Sequence, residues 1–403
     1  MKESGQRIQN IDALRGIALS GIVIAHFAEN YIAGPSPESF AKTIHVDFLD
    51  NLTDGLIFMF IRGKFFALFS FLFGLSFFLQ MSRAEEKSIN YSTRFLWRLV
   101  ILFAIGYLHH LFYRGDILVV YALTGIFMIP FYKLPLKWIW VFCILIFAGF
   151  FRLLIFFITK GEHLFYDIEF SPNSKKVLEY YDILKEGALT DVFKINSWDG
   201  LLQKMEFQFG LFSRGYLTFG FFLLGLIAGR TKLFLNYETY LKKIKRWAVY
   251  TVILFIVFGM VTGMLMKNQQ GQLDNNSLSF NLGLNFYDLM NVTMTVFFIC
   301  IFIVLWRKKW GYKLMVPFAD YGKMALTNYL LQTLIGTFIL YGWGLGYLGE
   351  IRIIYLAAIA VLLIFVQIYA SILWLKKFNY GPFEWLWRCL TYFKIFPFMK
   401  NNP

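Results

Sequence analysis

Charged residues are scarce in this chain of 403 residues: Asp, Glu, Lys and Arg make up only 16%, whereas 58% of the residues are hydrophobic. A soluble globular domain contains about 25% charged residues, so the composition excludes that class. Apolar runs of about 20 residues recur along the chain, and each is long enough for a helix to cross a bilayer. Because lipid cannot satisfy backbone polar groups, the sequence predicts an all-α, polytopic bundle of transmembrane helices.

Cysteine is also rare. The three cysteines, Cys143, Cys300 and Cys389, lie far apart, which excludes a disulfide framework and a cysteine-based metal site. The sequence has no Gly-rich phosphate loop, nucleophile elbow or HExxH motif, and its five histidines are scattered. No metal is therefore expected.

Ten hydrophobic segments are predicted to cross the membrane. They are residues 11–33, 55–81, 95–113, 116–132, 136–159, 207–229, 246–266, 283–306, 318–340 and 351–374. The net charge of +14 would suit a nucleic-acid partner, but the basic residues lie mostly in short connections between the segments. There they act as topology signals, so no nucleic acid is expected and both termini are predicted to lie in the cytoplasm.

The chain is interpreted as a single membrane domain, residues 1–403, with two polar additions. Residues 160–206 form an extracytoplasmic insert that is expected to be partly helical from Ser174 onward. This insert either covers the mouth of a cavity or only connects two spans. Residues 375–403 form a basic and aromatic tail, a composition suited to the cytoplasmic membrane interface.

The first segment contains three ionisable residues on one stripe: Asp12, Arg15 and His26. Eleven steps of about 100° bring His26 back to within about 20° of Arg15, with a rise of roughly 16 Å. Ionisable groups inside a span usually face the bundle interior or a polar cavity. The three are therefore candidate catalytic residues, with His26 expected near mid-membrane and Arg15 at the cytoplasmic end.

Further polar residues are predicted in the outer half of the membrane, where they would line a cation-rich cavity that opens outward. Such a cavity suits an anionic or hydroxylated ligand. The candidate substrate-binding residues are Arg62, Lys64, His109, His110, Asp116, Arg214, Asp288 and Asn328. Arg152 and Arg352, near predicted span ends, are expected to extend their charges into the interface.

Several stretches together resemble the YeiB family of bacterial membrane proteins, a domain of unknown function. They read IDALRG (11–16), KFFALFSFLFG (64–74), GDILVVYAL (115–123), GKMALTNYLLQ (322–332) and YGPFEWLWR (380–388). The resemblance covers nearly the whole chain, and the last two stretches are its most specific part. It implies a multi-pass protein of the bacterial cytoplasmic (inner) membrane.

The YeiB family is similar in turn to transmembrane acyltransferases, which include the lysosomal heparan acetyltransferase type and bacterial O-acyltransferases. That resemblance implies transfer of an acyl group from cytoplasmic acyl-CoA to a sugar, glycan or lipid acceptor outside. It makes His26 the base or acyl carrier, and it makes Arg94 and Arg98 candidates for binding the CoA phosphates. Membrane lipids are expected partners, and whether the protein forms a homodimer is left open.

Two other functions remain compatible with the residues. A transporter would bind an anionic metabolite or lipid in the same cavity, with protons relayed by Asp12, His26, Asp116 and Asp288. A non-catalytic assembly or sensor protein is the third hypothesis.

Overall fold

The structure is a computed structural model that describes residues 9–169, 171–210, 212–267 and 277–400. These ranges contain nineteen α-helices and no β-strand. The helices are α1 (Gln9–Ala28), α2 (Glu38–Ile44), α3 (Phe48–Phe60), α4 (Lys64–Glu85), α5 (Ser92–Phe112), α6 (Leu118–Ile126), α7 (Met128–Lys133), α8 (Leu136–Phe147), α9 (Phe150–Thr159), α10 (Lys175–Glu186), α11 (Leu189–Phe209), α12 (Arg214–Arg230), α13 (Tyr237–Met266), α14 (Leu278–Trp306), α15 (Lys309–Met315), α16 (Pro317–Lys323), α17 (Ala325–Leu340), α18 (Ile353–Lys377) and α19 (Pro382–Tyr392).

The protein is a multi-pass, all-helical membrane protein, but the number of spans is smaller than predicted. Within the described ranges, six segments are long and apolar enough to cross a bilayer, or eight when the bent pairs α8–α9 and α11–α12 each count as one. Two predicted spans do not reach this standard. The segment 116–132 is divided into α6 and α7, and 318–340 is divided into α16 and α17. Apolar residues continue across the first break, so hydropathy could not reveal it, whereas Gly322 and Lys323 precede the second.

Helix α1 lies in the interior and crosses α16 at very short range. A Cβ atom on Gly16 would meet the carbonyl of Phe318, and one on Gly322 would meet the carbonyl of Asp12. The glycines therefore allow the two backbones to touch, as small residues do where membrane helices pack closely. This contact joins the first and fourth of the stretches that resemble the YeiB family.

The last two of those stretches also meet, through Glu384 at the start of α19. Its Oε1 accepts hydrogen bonds from the backbone N–H groups of Leu326 (2.7 Å) and Thr327 (3.0 Å), and Oε2 accepts from Thr327 Oγ1 (2.6 Å). The first N–H groups of a helix have no partner within the helix. Glu384 supplies them with acceptors and places a negative charge at the positive end of α17.

We expect Glu384→Ala to destabilise the protein by about 2 kcal/mol, because it leaves two buried N–H groups of α17 without an acceptor. The melting temperature in lipid nanodiscs measures this. Glu238→Ala is the matched control, since Glu238 is exposed and its ion-pair partner Arg307 is exposed as well. Its loss should cost about 0–1 kcal/mol. Equal shifts in the two variants would contradict the role of Glu384.

The tail expected at the membrane interface lies against α5. The indole N–H of Trp387 donates to the carbonyl of Arg98 (3.1 Å), and that of Trp97 donates to the carbonyl of Leu390 (3.0 Å). Residues 401–403 of the predicted tail, and residues 1–8 of the predicted single domain, lie outside the described residues.

Candidate functional site

A cavity of about 670 Å³ lies beside the end of α1. Its wall includes residues of α1 from Gly21 to His26, and Glu29 just after that helix. The break between α3 and α4, the connection between α5 and α6, and parts of α12 and α14 complete this side. The predicted insert contributes as well, from Ile168 in its first loop to Lys204 on α11. The insert therefore forms part of the cavity wall.

His26 lies on the cavity wall among three tyrosine rings. The centroid distances from its imidazole are 5.0 Å to Tyr113, 5.4 Å to Tyr31 and 6.3 Å to Tyr329. Its Nδ1 is buried and has no hydrogen-bond partner among the described residues. A buried imidazole nitrogen without a partner, on the wall of a cavity, suits a group that exchanges a proton with a ligand.

The position of His26 within its helix differs from the prediction. It lies in the last turn of α1, because the helix ends at Ala28 and not near residue 33. Asn30 and Tyr31 have positive φ angles, and the Tyr31 hydroxyl donates to the carbonyl of Gln332 on α17 (2.9 Å). After Glu29 and Asn30 the residues Tyr31 to Ala33 are apolar again, so the hydrophobic pattern resumed past the true end of the helix.

Behind His26, Asp116 and His109 form a buried pair. Asp116 Oδ1 lies 2.8 Å from His109 Nδ1, and Oδ2 accepts from the backbone N–H of Val119 (3.0 Å). Lys204 Nζ, from the insert, lies 3.7 Å from Oδ2. Burial alone would raise the pKa of Asp116, but Lys204 and His109 outweigh it and lower this pKa to about 2. Asp116 is therefore ionised, and it holds the His109 ring in one orientation.

A second charged group also lines the cavity. Asp288 on α14 accepts from both Arg152 Nη2 and Arg214 Nη1, the latter at 2.8 Å. Arg152 also donates to Asn285 Oδ1 (2.5 Å) and to the carbonyl of Phe212 (2.6 Å). The expectation that Arg152 extends into the membrane interface is wrong: its side chain is 4% exposed and is held by this carboxylate.

Arg62 forms the third charged group at the cavity. Its Nε lies 2.8 Å from Glu29 Oε1, and its Nη2 lies 2.9 Å from Asp54 Oδ1. Glu29 follows His26 by three residues, so the same side of the chain supplies the imidazole and the carboxylate.

The cavity is lined by more basic than acidic side chains, yet most of the basic side chains are paired with a carboxylate. Its lining includes six basic side chains and four carboxylates: Arg62, Arg114, Arg152, Lys176, Lys204 and Arg214, with Glu29, Asp116, Glu169 and Asp288. Arg114 differs from the others, since no carboxylate among the described residues pairs with it. Its Nε donates to the carbonyl of Ala33 (2.8 Å), its Nη1 donates to Gln203 Oε1 (2.6 Å), and its guanidinium stacks on Tyr180. This leaves Arg114 as a positive charge available to a ligand.

The chain matches two sequence families. The family described as "Protein of unknown function (DUF418)" matches residues 228–394, and "Heparan-alpha-glucosaminide N-acetyltransferase, catalytic" matches residues 7–184. YxaH of Bacillus subtilis is 29% identical over 99% of this chain and 98% of its own length. A 39.9 kDa protein from the amylase 3′ region of Bacillus acidopullulyticus is 27% identical, covering 98% and 97% of the two chains. YeiB of Escherichia coli is 27% identical over 96% of each chain. Over nearly its whole length the chain is therefore similar to YeiB and YxaH.

Only part of the site lies within the residues that match the acetyltransferase family. It includes His26, Arg62, His109 and Asp116, whereas Asp288 lies in the part that matches the DUF418 family. The distant similarity to transmembrane acyltransferases is therefore located in the half that carries His26 and the Asp116–His109 pair.

The structure brings together five of the predicted site residues in the cavity lining: His26, Arg62, Asp116, Arg214 and Asp288. His109 and His110 are buried at the end of α5, His109 directly behind Asp116. Lys64, a predicted substrate-binding residue, is fully buried outside the lining, where Nζ donates to the carbonyl of Phe58 (2.7 Å).

Other predicted site residues lie away from the cavity. Arg15 Nη1 pairs with Asp12 Oδ1 (2.7 Å), and Nη2 donates to Ser76 Oγ (3.0 Å), which ties α1 to α4. Asn328 Nδ2 donates to Ser371 Oγ (3.0 Å) in a polar network between α17 and α18. The cavity wall on α1 ends at Gly21, where the Phe65 ring packs, so the lining does not extend to Arg15.

Sequence reasoning missed several residues of the site, above all Glu29, Arg114 and Lys204. The spacing of Glu29 from His26 is a signal that the sequence contains. Lys204 gives no such signal, because only the folding of the insert over the cavity brings it to Asp116. Within the part of the chain that the structure describes, no group of three or more His, Cys, Asp or Glu side chains could hold a metal ion.

Proposed function

We propose that this protein is a membrane acyltransferase that moves an acyl group from cytoplasmic acyl-CoA to a sugar or lipid acceptor held in the cavity. One observation carries the proposal: His26 lines the cavity beside the buried Asp116–His109 pair, within the residues that match the acetyltransferase catalytic family. The orientation in the membrane is taken from the distribution of basic residues along the sequence. Both termini then lie in the cytoplasm of a bacterium, and the insert and the cavity mouth lie outside.

His26 is the catalytic base in this proposal. It accepts the proton of the acceptor hydroxyl or amine as that oxygen or nitrogen attacks the thioester carbonyl carbon. Acyl-CoA supplies the activated thioester. When the carbon–sulfur bond breaks, His26 returns the proton to the departing sulfur, so that the products are the acylated acceptor and the CoA thiol. The Asp116–His109 pair acts as a positioning element, since the His109 ring packs on Tyr329 (ring centroids 4.9 Å apart), one of the three rings around His26.

The charged groups of the cavity wall would hold the acceptor. Arg114 has hydrogen-bond contacts but no carboxylate among the described residues, so it suits an anionic or hydroxylated part of a ligand. Arg62 and Arg214 also face the cavity, and their carboxylate partners Glu29 and Asp288 supply hydrogen-bond acceptors for hydroxyl groups. In ligand pockets, placed polar groups of this kind fix the orientation of the bound molecule.

The donor would approach from the other end of the bundle. Arg94 and Arg98 lie at the start of α5. His109 lies eleven residues after Arg98, a rise of roughly 16 Å along the helix. Phe65, which packs on Gly21 at the edge of the cavity, stands between the cavity and the Arg15 end of α1. An acyl chain that reaches His26 along α1 therefore requires Phe65 to move.

The test uses the purified full chain in lipid nanodiscs with labelled acetyl-CoA and glucosamine as probes. We expect saturable acetyl-CoA binding that unlabelled CoA competes away, and formation of acetylated glucosamine, or of an acetylated lipid, measured by mass spectrometry. Failure of acetyl-CoA to bind at about 1 mM would reject the donor. Uptake of an anionic metabolite into proteoliposomes, driven by a pH gradient and without release of CoA, would instead support the transporter.

A further inference from the structure

Three arginines gather at the end of the bundle where α5 begins. Arg94 and Arg98 lie one turn apart on α5, and Arg388 lies on α19, which packs beside them. The pair on α5 was a candidate from the sequence, but Arg388 was not. It is brought there by the hydrogen bonds that tie Trp387 and Leu390 of α19 to α5.

The three guanidinium groups converge on the aromatic side chains of α19. The Tyr392 ring lies 4.9 Å from Arg94 Cζ and 5.5 Å from Arg388 Cζ, and the Trp387 ring lies 4.0 Å from Arg98 Cζ. Aromatic faces attract a guanidinium but occupy only its flat side. Arg98 has a side-chain hydrogen bond to Tyr91. For Arg94 and Arg388 the N–H edge is left for an acceptor that matches its planar, forked geometry.

No negative charge of the described chain compensates this cluster. None of its ion pairs involves Arg94, Arg98 or Arg388. Arg388 Nε is buried and has no hydrogen-bond partner among the described residues. Neighbouring like charges repel one another, and a buried donor without an acceptor is costly. Each of these features favours an anion that accepts several N–H groups at once.

We propose that Arg94, Arg98 and Arg388 form a binding site for a phosphate group, which Arg binds through two parallel hydrogen bonds. The phosphate has two sources with the same chemistry. One is a soluble donor such as CoA, a reading that rests on the proposed function. The other is the headgroup of an anionic phospholipid, since exposed Trp97 and Phe393 beside the cluster stack on each other as an apolar border.

The experiment measures both sources on the full chain in phosphatidylcholine nanodiscs. One arm determines the Kd of CoA, and the other determines the increase in melting temperature when phosphatidylglycerol is added to the nanodiscs. Arg388→Gln is expected to weaken CoA binding about tenfold or more, or to remove most of the phosphatidylglycerol effect. Arg388→Lys should retain part of the effect, because it keeps the charge but not the fork. Arg307→Gln is the charge-matched control, with an exposed arginine that already pairs with Glu238.

Every outcome decides the proposal. It is overturned when Arg388→Gln melts normally in phosphatidylcholine yet keeps both the CoA affinity and the phosphatidylglycerol effect. Should that variant fail to fold, Arg94→Gln takes its place, because Arg94 is exposed and tolerates substitution. A phosphatidylglycerol effect that Arg388→Gln removes, with no CoA binding to the wild type, supports the phosphate site and rejects the acyltransferase. Acyl transfer without any change in either arm supports the acyltransferase and rejects the phosphate site.

Discussion

His26→Asn should lower the rate of acyl transfer about 10²- to 10⁴-fold, the range typical for loss of a general base. Asparagine keeps a polar side chain among the tyrosines around position 26 but cannot accept a proton at neutral pH. Binding of acetyl-CoA should be unchanged, since the proposed donor contacts Arg94 and Arg98 lie at the start of α5, whereas the cavity with His26 lies beyond the end of that helix. Initial rates at saturating acetyl-CoA, together with its Kd, separate the loss of chemistry from the loss of binding.

His163→Asn is the matched control for this prediction. His163 lies on the insert near Glu206, outside the cavity lining, so the same substitution there should leave the rate within about threefold of the wild type. A His26→Asn variant with full activity would contradict the role of His26 as the base.

His109→Asn tests the positioning role of His109. It should lower the rate of acyl transfer less than His26→Asn does, and it should change the pH dependence of that rate.

Much of the fold could be predicted from hydropathy, because long apolar helices such as α1, α5, α13, α14 and α18 are visible as uninterrupted runs. The break between α3 and α4 lies at Arg62-Gly63-Lys64, a polar interruption that the sequence contains, and Gly63 has a positive φ there. The break between α8 and α9 was not visible, because Gly149 has a positive φ there, yet apolar residues continue on both sides. A glycine inside an apolar run is common in membrane helices, so it does not by itself predict a break.

The candidate site was partly predictable for a related reason. Polar residues inside apolar segments are few and expensive, so His26, Arg214 and Asp288 could be selected from the sequence and do line one cavity. Lys64 and Asn328 satisfied the same rule but lie in other buried contacts. The rule finds buried polar groups but does not say which of them share a cavity, since that depends on how the helices are rotated and on where the insert folds.

Asp288→Ala should destabilise the protein by about 3–5 kcal/mol, the cost of removing one partner of a buried ion pair. Asp288 is 5% exposed and accepts from two arginines on different helices, so its loss leaves both guanidiniums uncompensated. The melting temperature in nanodiscs measures the effect. Asp320→Ala is the control, because Asp320 pairs with Lys323 within α16 and both side chains are partly exposed. Its loss should cost about 0–1 kcal/mol.

The origin of the loss can be tested by removing the charges that Asp288 leaves behind. If unpaired charge is the cause, Asp288→Ala combined with Arg152→Met and Arg214→Met should be more stable than Asp288→Ala alone, since apolar groups of similar size replace the buried ions. Both arginines line the cavity, so added phosphate should also raise the melting temperature of Asp288→Ala more than that of the wild type. A triple variant no more stable than the single one, with no response to phosphate, would mean that Asp288 acts through packing and not through its charge.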